Sequence, residues 1–268
     1  MIFYFSGTGN SKHIAEKIAN STGERLVCIS ENIIAENETY EIEENERIGF
    51  VFPVYWYCMP KIVEKFIVQL KLSGYHKQYV YAITTYGLAA GNVMDRLIQT
   101  LSNKQVQVKG IFGVQMVDNY VVGYNIINVD KQRTILKNAE VETTKIMTMI
   151  ERRENIEYIK KGRIRFVTPI TGYAYRKAKH TKKFFATSEC NSCKKCERSC
   201  PCNTIQMMDG KPVWVGECTF CLKCINGCKQ SAIQYGKSTK KRDRYQYKKK
   251  TNTVMGRFSA NRYNVPFV

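Results

Sequence analysis

No stretch of this sequence approaches 18 consecutive apolar residues, so no segment is expected to span a membrane. Its opening, MIFYF, is too short for a signal-peptide core and has no basic leader, and the expected location is cytoplasmic. Histidine is scarce, and His13, His76 and His180 have no companion spacing that suits a metal site or a triad. No pair of carboxylates, nucleophile–base pair or substrate-pocket motif stands out, so no catalytic residue is assigned. Acidic residues run short in one half only. Residues 1–154 carry 17 Lys+Arg and 17 Asp+Glu, whereas residues 155–268 carry 25 and 6 and hold the whole net charge of +19. A basic half raises the question of nucleic acid, but no helix-turn-helix or RNA-binding motif accompanies it, and a basic patch alone is weak evidence.

Cysteine is plentiful where the other reactive residues are sparse. Cys190, Cys193, Cys196 and Cys200 are spaced C-x2-C-x2-C-x3-C and followed by Pro201, and Cys218, Cys221, Cys224 and Cys228 repeat that spacing at an offset of 28 residues. Ile205 and Gln206 fall on Ile233 and Gln234 under the same offset, so the repeat is an internal duplication of a half-domain. C-x2-C pairs also suit zinc, which remains an alternative at this point. Residues 187–236 resemble a bacterial 2[4Fe–4S] ferredoxin. The resemblance implies one cluster on Cys190, Cys193, Cys196 and Cys228 and a second on Cys218, Cys221, Cys224 and Cys200, the fourth cysteine of each run serving the other cluster. Lys229 stands where the first repeat has Pro201, which frees the backbone and adds charge beside Cys228. Cys202 falls on Gln230 under the offset and is expected to pack beside the cluster without binding it. Cys28 and Cys58 read as small buried apolar residues.

At the other end, the apolar run Met1–Phe5 leads into Ser6-Gly7-Thr8-Gly9-Asn10-Ser11, after which Ile14, Ala15, Ile18 and Ala19 recur with helical period. Strand, glycine–hydroxyl loop and helix N-terminus make a phosphate site: unpaired N–H groups, a positive dipole end and hydroxyl donors converge. The loop is neither a Walker motif nor G-x-G-x-x-G. It resembles the flavodoxin phosphate loop, with Ser6, Thr8, Gly9 and Ser11 at matching positions and Asn10 as a further donor.

Further strands are expected at 25–30, 48–54, 78–84 and 108–117, with helices near 59–72, 91–103 and 130–153. This alternation is the signature of a doubly wound parallel sheet. Ligands of such sheets sit beyond the carboxyl ends of the strands. The loops 53–60 and 84–92 should meet there, and the flavodoxin resemblance points to Tyr55 or Trp56 on one face of a flavin ring and Tyr86 on the other, with Thr85, Gly87 and Gly91 close to it. The acidic run Glu36–Glu46 reads as a solvated loop.

The chain as a whole is similar to a flavodoxin–ferredoxin fusion family of anaerobic prokaryotes. The implied fold is α/β: a flavodoxin-like five-stranded parallel sheet over 1–154, a basic aromatic connector at 155–186 packed across the boundary, a small α+β ferredoxin domain at 187–236 and a basic tail at 237–268. Thr204–Met208 and Pro212–Val215 flank Asp209-Gly210 as a hairpin. The tail, with Lys240, Lys241, Lys248, Lys249 and Lys250, reads either as a solubilising segment or as a docking surface, and Phe258, Tyr263, Val265 and Phe267 suggest that its end folds back. The implied function is electron transfer between FMN and two [4Fe–4S] clusters, with redox proteins such as an acidic ferredoxin or a flavoenzyme as partners. The alternative is an FMN-dependent reductase of a small acceptor such as a quinone, fed by the clusters; a redox-responsive nucleic-acid binder is a third class.

Overall fold

The computed structural model describes residues 1–36, 38–178 and 180–248. In chain order the first part contains β1 Ile2–Tyr4, α1 Asn10–Thr22, β2 Leu26–Cys28, α2 Ile29–Ile34, β3 Thr39–Glu41, β4 Ile48–Pro53, α3 Lys61–Gln69, β5 Lys71–Ser73, β6 Val80–Tyr86, α4 Val93–Ser102, β7 Val108–Gln115, α5 Val129–Glu151 and β8 Ile156–Tyr158. A turn of 3-10 helix at Arg163–Phe166 leads to α6 Thr168–Lys177, and then come β9 Phe184–Ala186, α7 Lys195–Arg198, β10 Ile205–Met208, β11 Lys211–Trp214, α8 Lys223–Gly227 and β12 Ile233–Tyr235.

The main sheet has the order β2-β1-β4-β6-β7-β8, with every pair parallel. Strands covered on both faces read as continuous apolar runs, and all seven residues of β6 are buried. Their side chains alternate between two cores. Phe3, Phe50 and Phe52 meet Ile62, Phe66 and Leu97 from α3 and α4 on one face. Ile2, Val51 and Ile83 meet Ile14, Ile18 and Ile146 from α1 and α5 on the other. The chain leaves β1 for β2 on one side and returns to β4 on the other, so the switch point lies between the carboxyl ends of β1 and β4.

Three expectations are corrected. The sheet has six strands, not five, because Ile156–Tyr158, placed in the connector by the sequence reading, pairs with β7. The second strand stops at Cys28, and Ile29 begins a short helix. The acidic run is not simply a solvated loop: Tyr40 and Ile42 alternate with charged residues, are buried, and put β3 beside β5.

The cysteine-rich part pairs β9 with β12 and β10 with β11, both antiparallel. Met208 faces Lys211 across Asp209-Gly210, whose φ values of 48° and 74° give the expected two-residue hairpin turn. The 28-residue duplication is written into the backbone. Ser192 and Phe220 (φ 56° and 58°), Lys194 and Leu222 (59° and 55°), and Asn203 and Ser231 (both 50°) are left-handed pairs at that offset, and α7 and α8 start at Lys195 and Lys223, the same offset apart.

The two parts share one apolar core, in which Phe184, Phe220, Leu222 and Ile225 pack with Tyr55 and Tyr175. Tyr175, fully buried in the connector, donates its hydroxyl to Thr219 O (2.8 Å) and accepts from Lys61 N (3.2 Å), so the connector packs across the boundary as expected. No helix among the described residues is long and apolar enough to cross a membrane.

Candidate functional site

The loop after β1 is tied to the carboxyl ends of two other strands. Gly9, at φ 102°, is the N-cap of α1, and no side chain caps that helix. Ser6 Oγ accepts from Gly9 N (3.1 Å), Thr8 Oγ1 accepts from Asn119 Nδ2 (2.6 Å), and the Ser11 and Thr85 hydroxyls are 2.8 Å apart. Asn10 Nδ2 donates to Val117 O (2.8 Å). The first N–H groups of α1 therefore lack an intrahelical or side-chain partner at this glycine- and hydroxyl-rich loop. The start of the basic tail crosses this loop: Tyr247 N donates to Thr8 O (2.8 Å), Tyr245 Oη donates to Asn10 Oδ1 (2.8 Å), and the Tyr247 ring stacks on His13 at 4.3 Å. This part of the tail is docked rather than a free solubilising segment. Lys249, Lys250, Phe258, Tyr263, Val265 and Phe267 lie outside the described residues.

Beside the loop opens a cavity of about 600 Å³, walled by Tyr55–Tyr57, Gly87–Ala89, Asp118–Tyr120, Tyr124, Phe220 and Leu222. Tyr55 and Cys58 exchange backbone hydrogen bonds of 3.0 and 2.9 Å around Trp56 and Tyr57, both left-handed at φ 51° and 62°. Two bulky residues in that conformation are costly, and such strain concentrates at ligand clamps. Trp56 lies edge-on to Tyr120 at 6.4 Å. The Tyr124 hydroxyl donates to Asp118, and burial together with that carboxylate pushes its pKa up.

The cavity does not bring together all the expected ring contacts. Trp56 and Gly87 line it, and Gly87 is tight against Asp118, where a Cβ would collide. Gly91 is instead backed by Tyr57 and Thr168. Tyr55 reaches the wall but is buried, its ring edge on Phe5, and a Cβ on Gly7 would lie 2.6 Å from its hydroxyl and 2.8 Å from Cys221 O. Tyr86 faces a separate niche with Gly113, Ile159 and Lys160. Residues 156–158 pair with β7, and Lys160 O and Lys161 O then accept from Ala90 N and Gly91 N in the loop after β6. Tyr120 and Tyr124, in the loop after β7, line the cavity together with Trp56. The sequence signal for it was the rule already applied to two loops, that ligands sit beyond the carboxyl ends of these strands, and this is the third such loop.

The cysteines surround a second cavity, of about 320 Å³, lined by Cys190, Cys193, Cys196, Cys228 and Cys224. The first four are the set implied by the crossed ferredoxin pattern. Cys200 and Cys202 both lie close enough to Cys218 to raise its thiol pKa, and Cys200 also acts on Cys224. Among the described residues no three His, Cys, Asp or Glu side chains close on a point that would hold a single metal ion. Backbone N–H groups turn towards the sulfurs: Thr204 N to Cys200 Sγ and Phe220 N to Cys218 Sγ, each at 3.3 Å. Paired left-handed residues in such loops build the N–H concavities that bind anions and iron–sulfur groups.

Three buried side-chain donors in the described residues have no hydrogen-bond partner, and all three adjoin cysteines. Tyr55 Oη lies by Cys221, Trp214 Nε1 by Cys224, and Arg244 Nε near Cys228 and Cys224. Burial pushes Cys202 up to about 11 and Cys218 up to about 12, and raises Cys196, Cys221 and Cys224 as well. The donor set of this region is thus a close gathering of cysteine sulfurs with three unpartnered side-chain donors near them, a composition chemically compatible with a thiolate-bound polynuclear metal group. Cys58 is a buried thiol and Cys28 a half-buried one near Ser30.

Residues 1–143 match the flavodoxin domain family. The chain belongs to that family. In accord with this membership, the parallel sheet carries its glycine–hydroxyl loop at the switch point. Among solved structures, two-electron reduced flavodoxin from Megasphaera elsdenii is 22% identical, covering 42% of this chain and 83% of its own, at a TM-score of 0.31. Trp repressor binding protein from Bacillus subtilis is 15% identical, covering 53% and 97%, at a TM-score of 0.34. No curated protein matches the chain.

Proposed function

We propose that this protein transfers electrons between FMN and two [4Fe–4S] clusters. The observation that carries the reading is the shared wall: Phe220 and Leu222, on either side of Cys221, line the cavity formed by the loops after β4, β6 and β7, whose Asn119 bonds the β1 loop at Thr8. FMN exchanges one or two electrons and each cluster one, so their juxtaposition couples the two kinds of carrier. The N-terminus of α1, with Ser6, Thr8, Gly9, Asn10 and Ser11, holds the phosphate, and Thr85 anchors Ser11. Trp56, Tyr120 and Gly87 frame the ring. Cys190, Cys193, Cys196 and Cys228 hold one cluster, and Cys218, Cys221, Cys224 and Cys200 the other. Buried Tyr55 brings its hydroxyl against Gly7, which also abuts Cys221 O, so the loop of the phosphate site and the second cysteine set meet at this point.

Anaerobic reconstitution tests this directly. The expected product binds one FMN and about eight irons with equivalent sulfide, and reducing equivalents supplied to the clusters bleach the flavin absorbance without a second protein. A chain that takes up iron but no FMN, or FMN but no iron, sinks the coupled reading.

A further inference from the structure

The most exposed large apolar side chains among the described residues gather around the connector. Phe166 is 72%, Ile170 73% and Tyr173 62% exposed, at spacings that place them along one side of α6 and the turn before it. The opposite side of the helix is anchored by Thr168, Gly172 and Tyr175. Leu88, 70% exposed, and Thr171 extend the patch to the rim of the ring cavity, which both line. Nine Lys and Arg and no Asp or Glu occur from Tyr158 to Ser188. Two of these cations sit against the exposed rings, Arg165 over Phe166 at 4.7 Å and Lys177 over Tyr173 at 5.9 Å.

We propose that this face, Phe166–Ile170–Tyr173 with its cationic border, docks an acidic electron-carrier protein over the mouth of the ring cavity. The proposal rests on the flavin reading and gives that site its partner surface. An apolar aromatic centre with arginine at its edge is the composition of a protein interface. The border carries one carboxylate beside Phe166, Glu157, paired with Lys161 at 2.6 Å, and the remaining Arg163 and Arg165 leave a positive excess that favours a partner of opposite charge and speeds encounter. A lipid surface fits less well, because α6 offers ten residues rather than a long apolar face, and because a membrane gives no reason for the patch to adjoin a redox cavity.

The test uses the full reconstituted chain and, as probe, an acidic bacterial ferredoxin. The variant F166S/I170S/Y173S alters only exposed side chains and keeps Tyr175. It is expected to lower the bimolecular electron-transfer rate at least tenfold while iron, FMN and intramolecular transfer stay at wild-type values. R163E/R165E should lower the same rate and flatten its salt dependence. An unchanged bimolecular rate in both variants overturns the proposal, and so does pelleting of the wild type with anionic phospholipid vesicles that the triple variant abolishes. Sedimentation binding of the ferredoxin separates this from a failure of the flavin reading. A wild type that takes up no FMN yet binds the ferredoxin, with binding lost in the triple variant, keeps the surface and removes the flavin.

Discussion

Arg244 brings a guanidinium into the space between the two cysteine sets. Its Nη1 donates to Thr239 O (3.3 Å) and its Nη2 to Gln234 Oε1 (3.1 Å), which leaves Nε buried and unpartnered near Cys228 and Cys224. A fixed positive charge beside a cluster anion favours added electrons. Arg244→Met should therefore move the cluster potentials to more negative values with iron content unchanged, as read by a redox titration followed by electron paramagnetic resonance. Unmoved potentials would leave Arg244 as a clamp on the tail. Cys202 poses the complementary question, since it lies beside Cys218 as Cys200 does. Cys196→Ala should bring iron down to about half, and Cys202→Ser should leave it at the wild-type value. Loss of a whole cluster in Cys202→Ser would assign Cys202, in place of Cys200, to the second set.

The elements that were legible in the sequence are those whose residues obey one local rule. The loop at Ser6–Ser11 follows from its glycines and hydroxyls, the hairpin from Asp209-Gly210, and β4 and β6 from apolar runs that only a doubly covered strand contains. The 28-residue duplication was legible in the cysteine spacing, and the backbone repeats it down to its left-handed residues. What the sequence hid depends on partners distant along the chain. The strand Ile156–Tyr158 is three residues long and exists by pairing with β7, and the residues just after it, Ile159 and Lys160, share a niche with Tyr86. Tyr245 and Tyr247 lie in a run of basic residues whose charge masks their packing on the phosphate loop. That packing makes Thr8 and Asn10 part of two networks at once. Thr8→Ala with Ser11→Ala removes two hydroxyl donors, at roughly 1.5 to 3 kcal/mol each for bonds to a charged group. FMN binding, followed by fluorescence quenching, should weaken more than tenfold. Tyr245→Phe deletes one neutral bond to Asn10 and should cost about 1 kcal/mol in urea unfolding.

At the scale of the molecule, one histidine reports whether the two lobes stand or fall together. His180 is buried where they meet, stacked on Phe220 at 4.5 Å, with Nε2 3.1 Å from Tyr175 O and the Trp56 ring at 6.1 Å. Burial lowers its pKa below the usual 6.5, Lys61 adds to the lowering, and the Tyr175 carbonyl opposes it. The folded protein therefore binds this proton less readily than the unfolded chain does. The stability contributed by neutral His180 is complete above the unfolded value near 6.5 and is lost as pH falls from there through the folded value, with a limiting slope of about 1.4 kcal/mol per pH unit for one proton. His180→Phe keeps the ring stack and removes the titration. Urea midpoints measured on both proteins between pH 7.5 and 5.5 should fall more steeply in the wild type, in a single transition that probes placed in the parallel-sheet part and in the cysteine-rich part report together. Parallel slopes would take His180 out of the acid response, and separate transitions for the two probes would show that the shared core of Tyr55, Tyr175, Phe184 and Phe220 does not couple the lobes.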